Sequence, residues 1–203
     1  MVPKAIIFDI DGVIADSREA VVENTIRVLA EFGYAVAPER VHQMASAHSA
    51  TSVFVWLVPE LEGNEERLTR MLDRLAEITH ENLSLVKPTP LTAHLDELSR
   101  KYLLGAATNR RKSGPMVLKR LGIAHYFKAV VTSSDSPMKP SPDMLVLALE
   151  RLGVKPEEAV FVGDNKEDSM AGEAAGIRTI VLDCTKKENC EKFLGEFLPG
   201  GKG

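Results

Sequence analysis

The chain has 203 residues, 44% of them hydrophobic and 27% charged, with a formal net charge of −4. That composition excludes a disordered chain, and the negative balance gives no general attraction to nucleic acid or to an anionic membrane. On a prior of about 100–200 residues per domain, the length suits one large domain or a core carrying a small insertion. No apolar stretch approaches the ~20 residues of a membrane span, and Met1 to Ile10 lacks the apolar run of a signal peptide, so a cytoplasmic protein is expected. Cys184 and Cys190, six apart, lack the companions of a zinc site. They are expected to be reduced thiols, with a local disulfide or redox role as the alternative.

In chain order, the first apolar run is Lys4–Asp9, a stretch without polar alternation, as in a strand buried on both faces. Residues 16–86 then break the strand pattern with helical periodicities. Val22, Ile26 and Leu29 share one helix face, and so do Leu68, Met71, Leu72, Leu75 and Ile78. Asp16 and Glu19 have the spacing of a capping box for the first of these helices. A helical stretch this long is no simple crossover. It is expected to be a small all-helical domain, residues 16–86, inserted into a core made of residues 1–15 and 87–203. Pro88 and Pro90 mark the return.

Beyond the insertion, helical patterns alternate with further apolar runs. Leu91–Arg100 precedes the run Tyr102–Thr108, and Pro115–Leu121 precedes Lys128–Thr132. Pro142–Leu152 leads to Ala159–Asp164, and Glu167–Ala175 to Arg178–Asp183. One more helical pattern follows before the Gly-rich end, which is expected to fray. Strands alternating with helices imply an α/β fold, a doubly wound parallel sheet covered on both faces.

Ligands of such sheets bind beyond the carboxyl ends of the strands. The residues expected there are Asp9 and Asp11, Thr108 and Asn109, Lys139, and Asp164 and Asp168. Clustered carboxylates repel and require a cation, and hard oxygen ligands select Mg²⁺ or a similar ion. A lysine with oriented donors would hold an anion beside it, which is the equipment of phosphoryl transfer.

Asp9-Ile10-Asp11-Gly12-Val13, Thr108-Asn109, Lys139-Pro140 and Gly163-Asp164-Asn165-Lys166-Glu167-Asp168 resemble, in order, the motifs of the haloacid dehalogenase superfamily. The place and helical content of the insertion are similar to members with a helical cap, including phosphoglycolate phosphatases and β-phosphoglucomutases. The resemblance implies that Asp9 attacks phosphorus and forms an aspartyl-phosphate, while Asp11 protonates the leaving oxygen and then activates water. It implies a Mg²⁺ held by Asp9, the main-chain carbonyl of Asp11, and Asp164. Asp168, one helical turn on from Asp164, would orient Lys139 or a metal-bound water. Lys139 and Thr108 would hold phosphoryl oxygens, and Asn109 would add a donor or orient the nucleophile.

Single residues separate the branches of that superfamily. The acid at Asp11 argues against dehalogenation, and the absence of any Lys from Ile10 to Val86 argues against Schiff-base phosphonate hydrolysis. Phosphatase and phosphomutase share the motifs, and hydrolysis leads because it needs only water. The expected substrate is a small phosphomonoester, phosphoglycolate-like or a sugar phosphate, with no nucleic-acid or membrane partner and a monomer or homodimer as the assembly. Alternatives from another class are a phospho-receiver module, or an inactive relative used for binding. The receiver fits less well, because it would carry its phosphoacceptor on a middle strand. The loop around His48 is the candidate substrate reader of the cap. Arg110 and Arg111 are expected to be a solvated pair, with contact to substrate as the alternative, and Trp56 is expected in the cap core with Phe54 and Val55.

Overall fold

The structure, a computed structural model, describes residues 2–45 and 50–198. The chain divides into two compact units, one of residues 1–16 and 87–203 and one of residues 17–86. His48 and its immediate neighbours, like the Gly-rich end, lie outside the described residues.

In the first unit a five-stranded parallel sheet has the order β5-β4-β1-β6-β7. Its strands are β1 (Ala5–Phe8), β4 (Leu103–Thr108), β5 (Phe127–Thr132), β6 (Ala159–Gly163) and β7 (Arg178–Val181), each within an apolar run seen in the sequence except β5, which begins one residue before its run. Between β1 and β4 lies a short antiparallel pair, β2 (Ala15–Asp16) with β3 (Lys87–Pro88). It joins the two ends of the segment that forms the second unit, and such two-residue strands have no periodicity to announce them. The helices of this unit are α5 (Leu95–Lys101), α6 (Ser113–Arg120), α7 (Asp143–Leu152), α8 (Lys166–Ala174) and α9 (Lys187–Phe197).

Side chains alternate across a strand, so neighbouring residues of β1 serve opposite layers. Ile7 belongs to a core with Phe161 of β6, Met144, Leu145 and Leu149 of α7, and Ala171 of α8. Phe8 instead meets Phe193 of α9 edge-on at 6.0 Å, and Phe193 stacks on Phe197 at 4.6 Å. Ile6, Ile7 and Phe8 are wholly buried, at roughly 1.5–3 kcal/mol each, which is why β1 is apolar throughout. Cys184 and Cys190 are free, buried thiols. Burial pushes them up to about 12 and about 11, which leaves them little thiolate for reaction.

The second unit is helical in its described residues: α1 (Arg18–Glu31), α2 (Pro38–Ala45), α3 (Ala50–Leu57) and α4 (Glu65–Glu81). Val22 and Leu29 of α1, Val41 of α2, Phe54 of α3, and Met71 and Ile78 of α4 form its core. Two local expectations are corrected here. The N-cap of α1 is Ser17, which makes no side-chain cap bond, so the Asp16–Glu19 spacing is one residue out of register for a box. Trp56 is not core but 41% exposed, with the Arg40 guanidinium 4.9 Å over its ring. The apolar stripe of α3 faces inward through Val53, Phe54 and Leu57, and that turns Trp56 outward. No helix among the described residues is long and apolar enough to cross a membrane.

Candidate active site

The carboxyl ends of β1, β4, β5 and β6 point to one edge of the sheet, and the loops beyond them carry every core residue singled out in the sequence. Asp9 directly follows β1, and its N–H donates to Val162 O at 2.8 Å. The chain then turns at Gly12, whose φ is +75°. A side chain there would be strained, and its Cβ would lie 2.0 Å from the Asp164 carboxylate. The glycine is required twice, for the turn and for the approach of Asp164. The turn closes through Gly12 N–H to Ala15 O at 2.9 Å, and Thr89 Oγ1 donates to Val13 O at 2.6 Å from the returning chain.

Asp9, Asp164 and Asp168 each bring a carboxylate oxygen within 4.8 Å of the others. Asp168 reaches the cluster because Asn165 caps α8: the Asn165 side chain accepts from Asp168 N–H at 3.0 Å. Asp168 Oδ2 in turn accepts from Asp164 N–H at 3.0 Å, closing the loop on itself. Gly163 allows this, since a Cβ there would sit 2.3 Å from Asp168 Cβ.

Lys139 is buried among these acids. Its Nζ stands 2.9 Å from Asp9 Oδ1 and 2.6 Å from Asp168 Oδ1, and donates to Ala107 O at 3.0 Å. The two carboxylates are ion-paired to the ammonium and the Ala107 carbonyl accepts a hydrogen bond from it, so Lys139 places its positive charge between Asp9 and Asp168. Burial opposes its charge, but Asp9 and Asp168 outweigh that and hold its pKa above the ordinary lysine value. Asn109 fixes the Lys139 backbone from both sides, accepting from its N–H at 2.8 Å and donating to its carbonyl at 3.1 Å. The Asn109 amide therefore places the backbone of the lysine. Thr108 is buried at the end of β4, where its Oγ1 accepts from Arg110 N–H at 3.2 Å. That leaves the hydroxyl proton of Thr108 available to another acceptor.

Arg110 corrects the sequence reading. Its side chain is 9% exposed, and it grips Asp11 with Nε to Oδ2 at 2.8 Å and Nη2 to Oδ1 at 2.7 Å. Arg111 is exposed, as expected. The partners lie 99 positions apart, so the only cue in the sequence is a basic residue directly after Thr108-Asn109.

Electrostatics indicate what the site could hold. Burial pushes Asp9 up to about 7; Lys139 pulls it down, while Asp168 and Asp11 add to the rise. Burial, with repulsion from Asp168, pushes Asp164 up to about 6. Once ionised, the four carboxylates (Asp9, Asp11, Asp164 and Asp168) outnumber the two cations, Lys139 and Arg110, by two charges, those of one divalent ion. Hard oxygen donors at this separation fit Mg²⁺.

Comparison with known proteins agrees with this geometry. Residues 6–182 match the sequence model of the family described as haloacid dehalogenase-like hydrolase. The chain belongs to that family. A relative named pyrophosphatase PpaX, from Bacillus velezensis, is 33% identical over 193 residues, which cover 90% of this chain and 84% of that protein. A PpaX from Bacillus mycoides is 27% identical over 192 residues, with 90% and 84% covered. Among solved structures, a haloacid dehalogenase-superfamily hydrolase of subfamily IA from Geobacter sulfurreducens has a TM-score of 0.77 at 28% identity, covering 96% of this chain and all of that one. A putative phosphoglycolate phosphatase from Lactobacillus plantarum superposes with a TM-score of 0.79 over 95% of this chain and 92% of its own, and at 22% identity supports the fold alone. This haloacid dehalogenase-like hydrolase is an enzyme of the phosphatase kind.

Proposed function

We propose that the enzyme is a Mg²⁺-dependent phosphatase that hydrolyses a small phosphorylated metabolite through an aspartyl-phosphate on Asp9. One observation carries this: Asp9 lies at the end of the central strand, 2.9 Å from a buried lysine and beside a carboxylate cluster short of one dication. Asp9, Asp164 and the Asp11 carbonyl would hold the ion, which supplies charge neutralisation at the phosphoryl oxygens. Asp9 Oδ forms a bond to phosphorus as the bond from phosphorus to the leaving oxygen breaks, and Asp11, having taken up a proton from solvent and freed one oxygen from Arg110, delivers that proton to the leaving oxygen. Water then attacks the acyl phosphate, Asp11 takes its proton, and phosphate and free Asp9 result. Lys139 opposes the burial that raises Asp9 and so favours its ionised form for the first step, and Thr108 donates its hydroxyl proton to a phosphoryl oxygen.

Candidate substrates are a phosphomonoester of the phosphoglycolate or sugar-phosphate type and, from the name of the PpaX relatives, inorganic pyrophosphate. The test is phosphate release from p-nitrophenyl phosphate, pyrophosphate and a panel of phosphomonoesters. We expect release with Mg²⁺, none in excess EDTA, and none from Asp9→Asn. Full activity with EDTA or in Asp9→Asn would refute the mechanism, and transfer of phosphate without release would make the enzyme a mutase.

A further inference from the structure

The turn that carries Asp11 is held by bonds of two kinds. Gly12 O accepts from Cys184 N–H at 2.8 Å, and Ile10 O accepts from Ile14 N–H at 2.9 Å and Ala15 N–H at 2.7 Å. Those donors are backbone groups, present whatever the side chain. Thr89 differs: its N–H donates to Ile14 O at 3.1 Å, while its Oγ1 meets Val13 O at 2.6 Å and Ile14 O at 3.2 Å. Pro88 and Pro90 flank it and have no N–H, so in this run both donors come from Thr89. The residue is set in advance for the task. Pro90 confines it to extended backbone, observed at φ −79° and ψ 165°. Its own carbonyl is bonded by Thr92, from N–H at 3.1 Å and from Oγ1 at 2.8 Å. At 3% exposure, water competes little for its hydroxyl.

Asp9 and Asp11 are held differently. Asp9 directly follows β1, and its N–H is bonded to Val162 O of the neighbouring strand. Asp11 stands on the turn itself, with a side chain 37% exposed, so its place follows that of the turn. We infer that Thr89 is a positioning residue for proton transfer by Asp11. Its hydroxyl fixes the Val13–Ile14 limb of the turn, and through it the reach of Asp11 toward the leaving oxygen. The inference rests on the proposed role of Asp11 as general acid. Proton donation weakens when the donor is misplaced, whereas the strand end that presents Asp9 does not depend on Thr89. Loss of the hydroxyl is therefore felt most where the leaving oxygen is basic and needs the proton most.

The experiment compares kcat/KM for phenyl phosphate and p-nitrophenyl phosphate, with Mg²⁺, in wild type, Thr89→Ser, Thr89→Ala and Asp11→Asn. The two esters are of similar shape, and phenol leaves through the more basic oxygen. kcat/KM reports the steps up to departure of the leaving group, where the acid acts. The Ser and Ala variants both lose the methyl group and differ only in the hydroxyl. We expect Thr89→Ser to stay within about threefold of wild type on both esters. Thr89→Ala should fall roughly tenfold on phenyl phosphate, a fraction of what a general acid supplies, and less than about threefold on p-nitrophenyl phosphate. Thr89→Val, which removes the hydroxyl and keeps the bulk, shows the same split should the Ala variant fold poorly. Equal losses on both esters, an unchanged value on phenyl phosphate, a Ser variant as impaired as Ala, or loss of the fold in both Ala and Val would make Thr89 a purely structural residue and overturn the inference. Failure of the underlying reading is seen separately, as an Asp11→Asn variant that loses both esters alike or as turnover by Asp9→Asn.

Discussion

Lys139 is 5% exposed, with Asp9 at 2.9 Å on one side and Asp168 at 2.6 Å on the other. Its removal would leave two buried carboxylates without their counter-charge, and breaking such a pair costs ~3–5 kcal/mol. We therefore expect Lys139→Met to lower urea stability by about that amount in metal-free buffer. Adding Asp168→Asn should restore part of the loss, since one of the two charges is then gone. A single variant as stable as wild type would mean that the ion pairs contribute nothing. The acids, Lys139 and Thr108 were legible in the sequence because each ends a strand or follows one closely, and a parallel sheet gathers those ends. Asn109 and Arg110 were legible in position but not in the contacts they make. Whether an amide meets phosphate or a backbone, and whether an arginine is solvated or paired with Asp11, depends on contacts 30 and 99 positions away. His48 lies outside the described residues.

At the scale of elements, α8 decides where Asp164 and Asp168 stand, and α8 is seated on β7 through a glycine. A Cβ on Gly172 would lie 1.8 Å from Thr179 Oγ1, so helix and strand approach as only glycine permits. Alanine would raise helix propensity by about 1 kcal/mol, but overpacking of this kind costs typically ~1–3 kcal/mol. The clash wins, and Gly172→Ala is expected to be destabilising overall. In a Thr179→Ala background the hydroxyl is absent and only the residue's Cβ, 3.0 Å from the added methyl, remains close, so the same change should cost less. Urea midpoints of the four proteins of this cycle measure the coupling, and equal effects in both backgrounds would disprove the close approach. Strands and longer helices were readable because burial imposes periodicity on many residues at once. Ends were less so. Helix α6 begins at Ser113 with Pro115 inside its first turn, where the missing N–H is unbonded anyway. The β2–β3 pair and the Thr89 bonds to Val13 and Ile14 rest on a few contacts across the inserted segment, which leave no pattern in the chain.

Over the whole molecule the formal charge is −4, and four of the acidic residues meet in one cluster. That concentration makes stability depend on pH in an unusual sense. Asp9 at about 7 and Asp164 at about 6 lie above the ordinary carboxylate value of 3.8, chiefly through burial. Between pH ~4 and these values the folded protein keeps protons that the unfolded chain has released, so unfolding becomes easier as pH rises. The stability that these two groups contribute is complete below about pH 4 and is lost as pH passes through about 6 and 7. Asp135, held below the usual range by Thr132 and Arg151, acts in the opposite sense, but only at pH values below the ordinary carboxylate range. We therefore expect the metal-free protein to melt at a lower temperature at pH 8 than at pH 5. Mg²⁺ requires the deprotonated carboxylates, and binding to the native state alone raises the melting temperature. Saturating Mg²⁺ should thus raise it clearly at pH 8 and hardly at pH 5, reversing the order of the two. Calorimetry at both pH values, with Mg²⁺ and with EDTA, measures all four states. A metal-free melting temperature that is level across this range would show that Asp9 and Asp164 are already ionised without a cation. A Mg²⁺ shift of equal size at both pH values would show that the ion binds away from them.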